Sequence, residues 1–168
     1  MNLSPALRLW LRYALLGLLP VWILDAILLP RLIPLTPVLL LVSVAAVSVL
    51  EGAVFGTQFG LLAGFLWATA YAPTDPGRIL LLALIGMISG IVSQYALRRS
   101  LLGCMVCTAG ALAIYGCLNV LSGLINSLAV PSALLGMAVA EAILSLLFTP
   151  VVYWLFSRLG RKPGRPRS

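Results

Sequence analysis

Between Arg99 and Glu141 the chain reads SLLGCMVCTAGALAIYGCLNVLSGLINSLAVPSALLGMAVA (residues 100–140), with no Asp, Glu, Lys or Arg anywhere in it. About 20 apolar residues are enough to cross the hydrocarbon core of a bilayer as a helix, at about 1.5 Å of rise per residue. A run of 41 uncharged residues is too long for one crossing and must hold two. The cluster Ser122-Gly123, Asn126-Ser127 and Pro131-Ser132 supplies the break, which predicts one helix over 101–121 and another over 131–156.

The same pattern continues toward the N-terminus, where residues 32–50, 52–74 and 79–97 are also free of charge. These are solid apolar runs, without the polar and apolar alternation of barrel strands. Their punctuation predicts helices over 13–29, 37–51, 56–72 and 78–97, with Pro20 able to bend the first. Pro30, Pro34 and Pro37 stiffen the connection that follows it, and Pro73-Thr74-Asp75-Pro76-Gly77 forms the clearest turn. The expected fold is all-α: a polytopic six-helix transmembrane bundle, with residues 1–160 as one domain and 161–168 as a basic cytoplasmic tail. Composition agrees, since 62% of the 168 residues are hydrophobic and 9% charged, far from the balance of soluble domains.

Charge orients the bundle. Six crossings put Arg8, Arg12, Arg98, Arg99, Arg158 and the basic tail on one side, leaving only Arg31 and Arg78 on the other. That bias predicts both termini in the cytoplasm. Arg8 and Arg12 precede an apolar stretch that no A-x-A-like cleavage site closes, so it reads as a retained first span. The net charge of +7 is thus accounted for by topology and by contact with membrane lipid, and no nucleic-acid partner is expected. Cys104, Cys107 and Cys117 share one apolar stretch in a chain without histidine, which points to small packing residues rather than a metal or redox motif. Histidine, paired carboxylates, a phosphate loop and a G-x-S-x-G turn are all missing from the sequence. The expectation is a protein without catalytic residues or cofactors.

Two features remain to carry function. Gly56, Gly60 and Gly64 recur at a four-residue step after Gly52, extended by Ala68 and Ala72, and Gly86 and Gly90 repeat the spacing on the next helix. Such stripes let backbones approach closely, either within the chain or toward a docked partner helix. Intramembrane acids are the second feature, because each costs about 2.5 to 3.5 kcal/mol on insertion scales. Asp25 is expected near the outer end of helix 1, within reach of water. Glu141 is expected near mid-membrane, protonated or hydrogen-bonded to Gln94 or Asn119, with Ser145 and Thr149 following on its face. A proton-coupled or cation-binding role for Glu141 is the sharper reading, and an interhelical hydrogen bond the plainer one.

In order and spacing the chain resembles the MreD family of the bacterial rod-shape complex. The resemblance rests on the apolar helix opened by Pro37, the Glu51-Gly52 hairpin, Phe59-Gly60-Leu61-Leu62-Ala63-Gly64-Phe65, Gly86 and Gly90, the Arg98-Arg99 pair, and Thr149-Pro150 with Tyr153 before a basic tail. It implies a non-enzymatic protein of the bacterial cytoplasmic membrane, similar in fold to the substrate-binding subunits of energy-coupling-factor transporters. It also implies an MreC-like bitopic partner and, indirectly, the MreB filament and the peptidoglycan synthases RodA and a class B penicillin-binding protein. Ala68 stands where the family often carries an acid. The alternative is a vitamin-capture subunit of such a transporter, although Ala14, Gly17 and Ala26 do not form the A-x-x-x-A step usual on helix 1 of those proteins.

Overall fold

Gly52 turns the chain back on itself within one residue. Its φ of 100° and ψ of −177° lie where side chains are strained and glycine is not. Helix α2 (Leu39–Glu51) therefore ends and helix α3 (Ala53–Ala70) begins at once, earlier than the start at residue 56 that the sequence suggests. A computed structural model of the chain describes residues 5–28, 37–70, 76–95, 100–125 and 131–160. Among these, α4 is Pro76–Tyr95, α5 is Leu101–Ile125 and α6 is Pro131–Leu159. Apart from Gly52, the connections between helices, with Arg31, Ala72 and the Arg98-Arg99 pair, lie largely outside the described residues, as does the tail from 161.

Helix α1 covers residues 5–28 and starts well before Tyr13, because Arg8 and Arg12 both sit on its exposed face and do not interrupt it. It is α-helical over Pro5–Arg12 and Leu19–Ile23, and widens to π-helix over Tyr13–Leu18 and Leu24–Leu28. The first wide stretch runs up to Pro20, which has no N–H and crowds the turn before it. There the Leu19 N–H reaches back five residues to the Ala14 carbonyl. α5 runs through Ser122-Gly123 to Ile125 instead of stopping at 121, since neither residue alone ends a helix whose apolar pattern continues.

α2 is the centre of the bundle, and all five other helices pack on it. Every residue from Val38 to Val49 is buried, as expected for a helix with no polar face. Tyr13, Phe59 and Phe156 close the core at one end, with Phe156 5.9 Å from Tyr13 and 5.8 Å, edge-on, from Phe59. No described element is a strand.

The chain is a membrane protein. Four helical stretches, Leu7–Ile27, Gly77–Tyr95, Leu101–Ile125 and Leu134–Leu159, are long and apolar enough to cross a bilayer, while Leu39–Glu51 and Ala53–Thr69 are shorter. At 13 residues, α2 spans about 20 Å against a hydrocarbon core of about 30 Å. It meets protein on all sides, so its length need not match the lipid. Its ends, however, bring backbone polar groups to membrane depth, and those need partners.

Candidate functional site

The first N–H groups of α2 have no partner within their own helix. Neighbouring helices supply them. Val38 N donates to Ser145 Oγ of α6 at 2.9 Å, and Leu39 N donates to Asp25 Oδ1 of α1 at 3.3 Å as well as to Pro37 O at 3.0 Å. Ser145 Oγ in turn donates to the Glu141 carbonyl at 2.7 Å, and Thr149 Oγ1 donates to the Ser145 carbonyl at 3.0 Å. This corrects the expectation that Asp25 reaches water: it is only 2% exposed and turned inward by the wide turn Leu24–Leu28. A carboxylate at a helix N-terminus also complements the helix dipole.

Beside this cap lies a cavity of about 150 Å³, whose walls include Asp25, Val38, Trp67, Arg78, Tyr115 and Glu141. It gathers charged and aromatic side chains from five helices. Tyr115 stacks obliquely on Trp67 at 5.9 Å and shares a hydrogen bond with Asn119, one turn on. Glu141 is therefore not beside Gln94, which lies at the opposite end of the bundle against Gly52. α4 and α6 both start at the Asp25 end, so Gln94, near the end of α4, is far from Glu141, which lies in the first half of α6 and lines the same cavity as Asp25. The sequence reading missed Arg78 and Tyr115 as members of this cluster. The one available signal was the Tyr115 and Asn119 pair at a helical step.

The other end of the bundle is built around Glu51, whose Oε1 accepts a 2.7 Å hydrogen bond from the buried Tyr13 hydroxyl. Gly160 lies so close that a side chain there would strike the Tyr13 hydroxyl and crowd Glu51. Arg158 stacks its guanidinium over Trp154 at 3.7 Å, an aromatic and basic pairing suited to a membrane interface.

The glycine stripe is filled from within the chain. A Cβ at Gly56 would lie 2.6 Å from the Gly86 carbonyl, one at Gly60 would lie 2.9 Å from Ala83 Cα, and one at Gly64 would lie 2.9 Å from Ile79 Cα. Side chains at Gly86 and Gly90 would strike the backbones of Gly56 and Ala53. All five glycines thus join α3 to α4, and that seam has no room for a partner helix. Cys104 and Cys107 are buried in the bundle and Cys117 is exposed. The sulfur of Cys107 lies 3.8 Å from the Ser89 carbonyl, which ties α5 to α4.

Chemically, the arrangement can satisfy backbone groups, hold charges together and exclude lipid. Among the described residues, no three His, Cys, Asp or Glu side chains come together as a metal site would require. No protein-family model, curated protein or solved structure matches the chain.

Proposed function

We propose that the chain is a non-enzymatic scaffold of the MreD type, crossing the bacterial cytoplasmic membrane six times with both termini in the cytoplasm. In this reading it binds an MreC-like bitopic protein and helps link the MreB filament to the peptidoglycan synthases RodA and a class B penicillin-binding protein. One observation carries the proposal: several of the motifs behind the resemblance are used for internal packing. Pro37 leads into the buried helix, Glu51-Gly52 makes the hairpin, and the two glycine pairs seal α3 to α4. A bundle fixed this way offers rigid outer faces, which is what a partner-binding scaffold needs.

The alternative of vitamin capture draws on the polar cavity. At about 150 Å³ that cavity alone is small beside the 300 to 1,000 Å³ or so typical of ligand pockets, whereas the neighbouring space between α4 and α5, about 500 Å³ and sharing Arg78 and Tyr115 with it, falls within that range. Co-expression with a tagged MreC-like protein separates the two readings. The scaffold reading expects the pair to purify together without a small molecule. Retention of a vitamin-sized ligand by the chain alone, with no binding to the bitopic partner, would overturn it.

A further inference from the structure

α4 and α5 make far less contact than the other neighbouring helices that pack along their length, and a crevice runs between them. Its larger part, about 500 Å³, starts at Gly77 and Arg78 and is walled by side chains such as Leu81, Leu84 and Leu118. A second part of about 160 Å³ continues past Ile88 to Val92, with Gly110 on the facing side. The two parts share no lining residue but are walled by successive ones, Leu84 and Ile85 on α4 and Ile114 and Tyr115 on α5. From Gly77 to Val92 the crevice follows about 22 Å of helix, more than the roughly 15 Å depth of one leaflet.

Its chemistry is divided along its length. At the mouth are the exposed Arg78 and Ser122 and the half-buried Asn119, and beyond them the walls are mostly aliphatic, apart from Tyr115 and the Ser89–Cys107 contact that bridges the deeper part. Arg78 and Tyr115 form the wall shared with the small polar cavity, whereas Asp25 and Glu141 line only that cavity. Among the described residues, Arg78 is the only cation on the crevice walls. Gly110, an exposed residue on the wall of the second part, borders open space, because a Cβ there would meet nothing within 4 Å. A cationic and hydrogen-bonding mouth over an apolar slot of leaflet depth matches one kind of occupant.

We infer that the α4–α5 crevice is a binding site for an anionic phospholipid, its phosphate at Arg78 and one acyl chain lying along the slot toward Gly110. Arg78 supplies the charge, Asn119 and Ser122 supply polar groups for the head, and the missing side chain at Gly110 leaves room for the chain. This inference does not depend on the scaffold reading.

The test reconstitutes the full chain in vesicles of equal phosphatidylglycerol and phosphatidylcholine and counts lipids retained in native mass spectrometry. Retained phosphatidylglycerol should exceed phosphatidylcholine by about fivefold, the preference expected of one basic residue near a membrane surface. Arg78→Gln should bring the ratio to parity, while Arg78→Lys keeps it. Gly110→Leu, placed in open space, should lower retention of both lipids at an unchanged melting temperature. Gly136→Leu, equally uncrowded but on α6 away from the crevice, should change nothing. Parity in the wild-type chain, or a preference that survives Arg78→Gln, would overturn the inference.

Discussion

α4 meets its two neighbours in opposite ways. Toward α3 it presents Gly86, Gly90 and Ala83, and backbone lies against backbone. Toward α5 it presents Leu81, Leu84 and Ile88, and a crevice remains. In water both faces would be pressed shut by the hydrophobic effect. In a bilayer lipid tails are as apolar as leucine, so only good van der Waals fit and hydrogen bonds favour closure. Small residues facing small residues give that fit, and branched residues facing branched residues leave gaps that a lipid chain can fill. Gly110 makes the same point from α5: a glycine with nothing opposite creates space, not a seam.

The largest effect is expected from breaking the closed side. Gly60→Leu drives a side chain into the backbone at Leu82 and Ala83, and should destabilise the bundle by about 3 kcal/mol or more, read by unfolding in mixed micelles. If the variant is as stable as wild type, the seam is not the structural joint described here. Next comes α2, which packs against both α4 and α5. Ser145→Ala strands the Val38 N–H and should cost about 1 to 3 kcal/mol; Ser145→Thr, which keeps an acceptor, should recover much of that. Smallest is Tyr13→Phe, remote from the crevice, which removes one hydrogen bond to Glu51. A loss of about 1 kcal/mol is expected, without any change in lipids retained at the crevice.

Much of this contrast could be read from residue spacing. The four-residue glycine steps on two successive helices point to close packing, and the uncharged run 100–140 contains α5 and the first turns of α6. What spacing could not show is which face of α1 turns inward. Asp25 looks like an interfacial acid by depth along its helix, yet the wide turn at Leu24–Leu28 rotates it onto the start of α2. Of the two partners offered for Glu141, Gln94 failed for a simpler reason, since depth had to be counted from the same end of every helix, whereas Asn119 does lie at the Glu141 end beside Tyr115. By that count Gln94 belongs with Glu51 and Gly52, and Arg78 and Tyr115 belong with Glu141. Arg78 reads as a loop charge because it sits in the first turn of α4. Only the three-dimensional convergence of five helices shows that it borders both the polar cavity and the crevice.

One paired measurement tests the contrast between the two seams most directly: the unfolding free energies of Gly60→Ala and Gly110→Ala in the same bilayer mimetic. Each adds the same methyl group to a mid-helix glycine, a change that by itself favours the helix by about 0.5 to 1 kcal/mol. Gly110→Ala should be as stable as wild type or more stable by up to that amount, and Gly60→Ala less stable by about 1 to 3 kcal/mol. Equal stabilities, or greater damage at Gly110, would contradict the account of one closed and one open side.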